Sequence, residues 1–331
     1  MMHGSAGPGP RSDAPAPGSL PGGLPGGLVE RYLGSVQTWE CDTMGHMNVQ
    51  FYCARAWEAE QGLWADLGLG RRRREAEGLA VRMVDQHIRF HRELRAGAPY
   101  RVATGITALT GNRLRVYHEL QFALDGTVAT TLANDLILVR RELPETPLAW
   151  PAPMRRVAEG NPVEVPPHGL PRGLDLAPPR PAPRLEDPIL QQMIPMHRGA
   201  VLGQECDEAG FLRPQGVMAR FSDGIPALLA GLLGWDRSSD PDSGGAALEY
   251  RIVARRPVRA GDVLCSFSGI VALGGKPYTW AHWTFDAETG DAVATAINVG
   301  VHMDLRSRRA TPLPEGMRKS FEAHIVEGLS V

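Results

Sequence analysis

ECDTMGHMN, residues 40–48, decides how this chain reads. An acid, a glycine, a histidine and an asparagine stand directly ahead of a helical pattern. From Val49 to Leu67, the residues Val49, Tyr52, Cys53, Ala56, Trp57, Leu63, Trp64 and Leu67 recur at helical spacing. Asn48 is a natural N-cap, and GLG at 68–70 is a stop. Upstream, YLGSVQTW fits a strand. Asp42 therefore falls between a strand and a helix, beside amide groups free to bind an anion or polarise an oxygen. A carboxylate there can activate water or attack a carbonyl itself. Gly45 lets the backbone turn or a substrate carbonyl come close. His46 donates a hydrogen bond or titrates near neutrality, and Asn48 can orient a water. The set suits attack on a carbonyl, with backbone N–H groups holding the oxyanion. Asp, Gly and Asn are also ordinary turn residues. A turn in which Asp42 only accepts backbone bonds, and His46 is solvated, stands beside the chemical reading.

Working outward, four strand patterns follow: 79–91, 99–109, 113–124 and 127–139. GN at 111–112 and DG at 125–126 mark hairpins, so the sheet is largely antiparallel and one long helix can cover one face of it. Residues 141–192 are proline-heavy and read as a linker or extended strap. The pattern then returns. ECDEAG at 205–210 repeats the acid-Cys-Asp opening, and VRAGDVLCSFSGIVAL at 258–273 answers LRAGAPYRVATGITAL at 94–109. YTWAHWTFDAETGDAVATAI answers LRVYHELQFALDGTVATTLA, with one added residue expected in the turn, setting VAT at 293–295 against VAT at 128–130. RPQGVMARFSDGIPALLAGLLG offers a second helix that Gly224 and Pro226 should distort. The organisation expected is a tail over 1–30, a module over 31–140, the strap over 141–192, a second module over 193–310 and an extension over 311–331. Each module leaves sheet edges, and pairing within the chain into a pseudo-dimer is the simplest way to cover them. A homo-oligomer could cover any that remain.

Composition narrows the classes. Of 331 residues, 43% are hydrophobic, enough for real cores, and the net charge of −2 argues against a nucleic-acid partner. The chain has no run of 18 apolar residues, so no membrane span is expected, and the N-terminus makes a poor signal peptide. The four cysteines lack CxxC or zinc spacing, and a reducing cytoplasm is the simplest location. FSDG around Ser222 is no nucleophile elbow, and the glycine-rich tail lacks a nucleotide-binding context. Neither a cofactor nor a metal is expected.

WECDTMGHMNVQFYCARAWE at 39–58 closely resembles the opening of hotdog-fold acyl-CoA thioesterases of the 4-hydroxybenzoyl-CoA thioesterase type. The matching residues are Glu40, Cys41, Asp42, Gly45, His46, Asn48, Tyr52 and Glu58. Val49 stands where many relatives have a second asparagine, and Glu40 where they often have aspartate. The resemblance covers about 32–140, and more weakly 197–305 through the repeat. It implies an α+β double hotdog, each half a curved antiparallel sheet around a long central helix. It also implies hydrolysis of an acyl-CoA or another acyl thioester, with Asp42 as general base or nucleophile, supported by His46 and Asn48. A hotdog hydratase or dehydratase and a noncatalytic acyl-thioester binding module are the alternatives.

In the second module Phe211 replaces the histidine and Arg213 the asparagine, so Asp207 reads as a vestigial second site. Gly45, Tyr52, Glu58 and Glu60 are supporting candidates. The two glutamates are backup carboxylates: a buried Glu60 could act as an acid or base, with Glu60 reaching solvent at the edge of the helix stripe as the expectation. RRRR at 71–74 reads as a basic loop, from which Arg71 and Arg72 could meet coenzyme A phosphates. Arg89 and Arg92 are further candidates. His87, Arg89 and His91 alternate onto one strand face. His118 and His282 occupy matching repeat positions and read as a structural pair.

Overall fold

The computed structural model describes residues 27–234 and 240–331. Of the tail expected over 1–30, residues 1–26 lie outside the described residues. Leu28 is already buried, and Val29 and Glu30 already belong to a strand.

The first half runs β1 (Val29–Ser35), a 3₁₀ turn (Thr38–Glu40), α1 (Val49–Asp66), α2 (Arg71–Glu77), β2 (Leu79–Phe90), β3 (Pro99–Thr110), β4 (Arg113–Phe122) and β5 (Val128–Arg140). The strap contributes β6 (Leu143–Leu148), paired to β5, and α3 (Ala152–Gly160). The second half repeats the order: β7 (Ile194–Ala200), a 3₁₀ turn (Gly203–Glu205), α4 (Pro214–Leu233), β8 (Ser243–Ala254), β9 (Val263–Leu273), β10 (Pro277–Asp286) and β11 (Ala292–Asp304). The chain closes with β12 (Arg309–Thr311) and α5 (Glu315–Ala323). The basic loop expected at 71–74 is the helix α2 instead. Arg71 with Glu75 and Arg73 with Glu77 form pairs one turn apart that favour helix over loop.

The strand order is β1-β3-β4-β5-β2-β8-β11-β10-β9-β7, antiparallel throughout. Each half is thus a curved antiparallel sheet wrapped around its own long helix, and the two sheets join edge to edge at β2 and β8. Tyr52, Cys53, Ala56, Ala59, Leu63 and Trp64 bury one face of α1. Val217, Met218, Phe221, Gly224 and Leu228 do so on α4. Burying each large apolar side chain contributes roughly 1.5–3 kcal/mol. Gly224 lets α4 approach β7, since a Cβ there would stand 2.8 Å from the Met196 carbonyl oxygen. Pro226 removes one helical N–H, yet it lies within a continuous α4 of 20 residues. By length and composition α4 could cross a membrane, although its buried face belongs to the main core.

At the seam His87 pairs with Arg251, and these are counterpart positions 164 residues apart. The ion pairs there are reciprocal as well. Arg251 Nη2 meets Asp85 Oδ2 at 2.7 Å, and His87 Nε2 meets Glu249 Oε1 at 2.7 Å. The strap crosses the same place: the N–H groups of Arg172 and Gly173 donate to Glu249, and Arg251 donates to the carbonyls of Asp175 and Ala177.

The ladders correct the repeat alignment in its last strand. Gln86 pairs with Asn134 and Tyr250 with Asn298, while His118 pairs with Leu132 and His282 with Ala296. The offset therefore stays at 164, and Asn298 answers Asn134. The extra turn residue expected from the two VAT segments is not there. A one-residue slip would have turned every side chain of that strand to the other face.

Candidate functional site: two acidic turns and a polar cleft

The two acidic turns share a scaffold. In the first, the Gln37 N–H donates to Glu40 Oε2 (2.8 Å), and Arg55 of α1 pairs with the other oxygen. In the second, the Leu202 N–H donates to Glu205 Oε2 (2.7 Å), and Arg220 of α4 meets Oε1 at 2.9 Å. The cysteine that follows points its thiol at the carbonyl of Gln37 or Leu202. The aspartate N–H bonds to the carbonyl of His46 or Phe211. The glycine turns back with φ +77° at Gly45 and +83° at Gly210, a region that favours glycine. The recurrence of acid-Cys-Asp is thus explained by turn construction: the acid fastens the turn to its own helix.

The turns differ at the carboxylate. Asp207 Oδ1 accepts the N–H groups of both Ala209 and Phe211, at 2.8 and 2.9 Å. Burial raises the Asp207 carboxyl above the usual range, against the pull of those two bonds. Phe211 is buried, with the Arg259 guanidinium 4.2 Å over its ring. In the first turn Asp42 Oδ1 accepts one N–H, from Met44 at 2.8 Å, and Oδ2 lies 3.4 Å from His46 Nε2. His46 Nδ1 faces Glu93 at 3.8 Å. Asn48 occupies the N-cap of α1, accepts the Gln50 N–H at 3.1 Å, and donates to Ser222 of α4 at 2.8 Å. That last bond joins the first turn to the second half. Arg308, at positive φ in the β11–β12 connection, adds another by donating to the Met44 carbonyl (2.9 Å) and to Glu93 (3.4 Å). Arg308, Glu93 and Ser222 were missed as site residues, because their place depends on the pairing of the halves.

Asp42, Gly45, His46 and Asn48 therefore come together. Tyr52 lies near enough for Glu93 and Asp42 to act on its hydroxyl, and the other candidates lie elsewhere. Tyr52 is buried, its hydroxyl accepting the Leu94 N–H at 3.2 Å. Glu58 pairs with Arg55. Arg71 is paired on the exposed side of α2, and Arg72 is exposed beside it. Arg89 donates to the Leu170 carbonyl of the strap at 2.7 Å, and Arg92 is exposed. Glu60 is a clear correction. It is 3% exposed rather than at a solvated edge. It lies twelve residues beyond Asn48, about 18 Å along the helix axis, and is separate from the Asp42 turn.

A cleft opens where α1 of the first half faces the second turn. Trp57, Glu60, Gln61 and Trp64 line one side, and Asp207, Glu208, Phe211 and Arg213 the other. Arg74 of α2 ties the two sides together through Gln61 and Glu208. Glu60 Oε1 accepts Asn134 Nδ2 at 2.7 Å and lies 3.1 Å from His118 Nε2. Thr104 Oγ1 sits 2.9 Å from His118 Nδ1. A buried acid persists because donors are supplied to it. Burial raises the nearby Cys53 thiol to about 12, so it offers no thiolate. Among the described residues no group of three or more His, Cys, Asp or Glu could hold a metal ion.

A double hotdog carrying an acidic turn at the start of each helix is the class that fold and site define. The chain belongs to the thioesterase-like superfamily, whose family model matches residues 36–169 and 201–321. Among solved structures it is similar to a protein named as an oleoyl thioesterase from Lactobacillus plantarum, at 13% identity and TM-score 0.65, over 88% of this chain and 98% of that one. It is also similar to a 12:0-ACP thioesterase from Umbellularia californica, at 14% identity and TM-score 0.60, over 82% and 93% of the two chains. An acyl-ACP thioesterase from Bacteroides thetaiotaomicron matches at 9% identity and TM-score 0.57, over 82% and 97%. At these identities the likeness is one of fold. The search of curated proteins finds no match. Family membership supports thioester hydrolysis as the general activity.

Proposed function

We propose that the chain hydrolyses acyl-CoA thioesters at the Asp42 turn, in the manner of the 4-hydroxybenzoyl-CoA thioesterase type. The observation that carries this reading is the difference between the two aspartates. Backbone donors take one oxygen of each, but only Asp42 has its other oxygen beside a histidine. Its side chain keeps 19% of its surface open. As general base, Asp42 Oδ2 takes a proton from water while the water oxygen attacks the thioester carbonyl. As nucleophile, the same oxygen attacks directly, and water then cleaves the acyl-enzyme. In both routes the thiolate leaves, a proton goes to sulfur, and free acid and free thiol result. The positive end of α1 favours the developing oxyanion. Four unpaired cysteines are in keeping with the cytoplasmic location we propose.

The test is release of free thiol across short, aromatic and long acyl groups, each carried on coenzyme A and on acyl carrier protein. Hydrolysis on coenzyme A supports the reading, and hydrolysis confined to carrier protein corrects its carrier. Reversible hydration without thiol release, or tight binding without turnover, would replace it with the hydratase or the binding module.

A further inference from the structure

Glu60 belongs to a buried polar group that chemistry at Asp42 does not use. Its Oε1 is held by His118 and Asn134. Asn134 Oδ1 in turn accepts Gln86 Nε2 at 2.9 Å, and Cys53 points its thiol at Gln86 Oε1. His118 Nδ1 is met by Thr104. Every donor and acceptor used here serves the group itself, while Glu60 Oε2 makes no hydrogen bond among the described residues. Glu60 nonetheless lines the cleft.

The second half is the internal control. Ser268, His282 and Asn298 stand at the matching positions, and Ser268 Oγ lies 2.8 Å from His282 Nδ1. The buried faces of the two helices superpose at an offset of 165, which sets Ile225 against Glu60. Without the acid, His282 Nε2 and Asn298 Oδ1 are buried with no hydrogen-bond partner of normal geometry. The histidine and asparagine thus persist in both halves as framework. The acid they could clamp is present in the first half, where it lines the cleft.

We propose that His118 and Asn134 are positioning residues that fix one oxygen of Glu60 and present the other to a ligand in this cleft, which makes it a second reaction centre. The inference rests on the thioesterase reading for its substrate class, an acyl thioester. Trp57, Trp64, Met83, Leu136 and Val217 give the cleft apolar wall for an acyl group. Glu60 Oε2 takes a proton from water as the water oxygen attacks the carbonyl carbon; the C–S bond breaks, and that proton ends on the leaving sulfur. The charged groups facing Glu60 are His118 from β4, Arg74 from α2, Arg82 from β2, Asp207 and Glu208 from the second turn, and Arg213 and Arg256 beyond it.

The experiment removes the first centre and reads the second. Asp42→Asn is expected to leave a residual hydrolysis above the uncatalysed rate. Adding Glu60→Gln, which keeps the side-chain shape, lowers that residue at least tenfold with little change in Tm. Adding His118→Leu moves the acidic limb of its pH–rate profile up by about one unit, since a buried carboxylate loses a donor, and His118→Gln restores the limb. A merely structural histidine would change Tm and leave the limb in place. Residual activity unaffected by Glu60→Gln, a limb unmoved by His118→Leu, or Asp42→Asn falling to the uncatalysed rate overturns the proposal. Wild-type activity in Asp42→Asn overturns the Asp42 reading alone, and Glu60→Gln then decides this one directly. If the wild-type chain hydrolyses nothing, the thioesterase reading fails. Binding of an acyl-CoA ketone analogue, with a methylene between sulfur and carbonyl, then decides: weakening by Glu60→Gln supports the second centre, and unchanged binding overturns it.

Discussion

His118 and His282 occupy one position in two sheets and live in different company. His118 is bracketed by Thr104 and Glu60, so both ring nitrogens have partners. His282 keeps the hydroxyl, from Ser268, and loses the acid. Its ring sits among Phe221, Tyr250 and Trp280 instead, with centroids 5.0, 6.1 and 6.4 Å away. Burial pushes its pKa down to about 4. The turns show the same divergence from the opposite side: the first keeps histidine and asparagine around its aspartate, and the second binds its aspartate to the N–H groups of Ala209 and Phe211. Duplication has therefore not produced two copies of one site. The first turn faces α4, which has Ile225 in place of the acid, and the second turn faces α1, which has Glu60.

The sharpest way to break this comparison is to remove each aspartate in turn. Asp42→Asn is expected to lower kcat/KM for thioester hydrolysis by roughly 100-fold or more, the range set by loss of a general base. Asp207→Asn should change it less than about threefold. Equal losses would mean the turns are chemically alike. Next come the ion pairs behind the turns. Glu40 is fully buried, and Arg55→Ala, which strands it, should cost about 3–5 kcal/mol in denaturant unfolding. Arg220→Ala should cost less, because the Glu205 side chain keeps 25% of its surface in solvent.

Two pH effects are smaller. Burial holds the folded-state pKa of His282 down at about 4, against an ordinary value near 6.5 for the unfolded chain. The unfolded chain therefore binds more protons in between, so stability from a neutral His282 is full above about pH 6.5 and declines towards pH 4. Tm measured against pH should slope less steeply over that window in His282→Leu. At the seam, burial of Glu249 opposes its ionisation, but the His87, Arg172 and Gly173 donors outweigh it and hold the carboxyl below 4.5. Its contribution is present above about pH 4.5 and lost as the medium acidifies through the folded-state value. Glu249→Gln should flatten that acid decline, and an unchanged curve would remove the pair from the account of the seam.

Most of the architecture was legible because it is written in periodicity. Helical spacing after Asn48, hairpin signals at 125–126 and the returning acid-Cys-Asp are local patterns. Glu60 was legible as a candidate carboxylate, but its burial and its donors were not, for two physical reasons. Glu60 reads as a stripe-edge acid until His118 and Asn134, 58 and 74 residues away, are seen to supply its donors. The matching VAT segments also drew the last strand one residue out of register, setting Asn298 against Ala133 and hiding the shared His–Asn framework. Equal spacing of His118–Asn134 and His282–Asn298 was the signal that could have exposed both. α2 was lost to its arginine run, which looked like a loop until the glutamates one turn on were counted.

The strap across the seam has an evolutionary consequence. Two separate subunits would have to serve as both partners in every encounter, so a change that suited one role would be imposed on the other. Tethering holds each half opposite its unlike neighbour at an effective concentration of roughly millimolar or more. Self-complementarity is then no longer under selection. One helix can then carry an acid where the other carries isoleucine, and one turn a histidine where the other carries phenylalanine, without diluting the population of correctly matched partners.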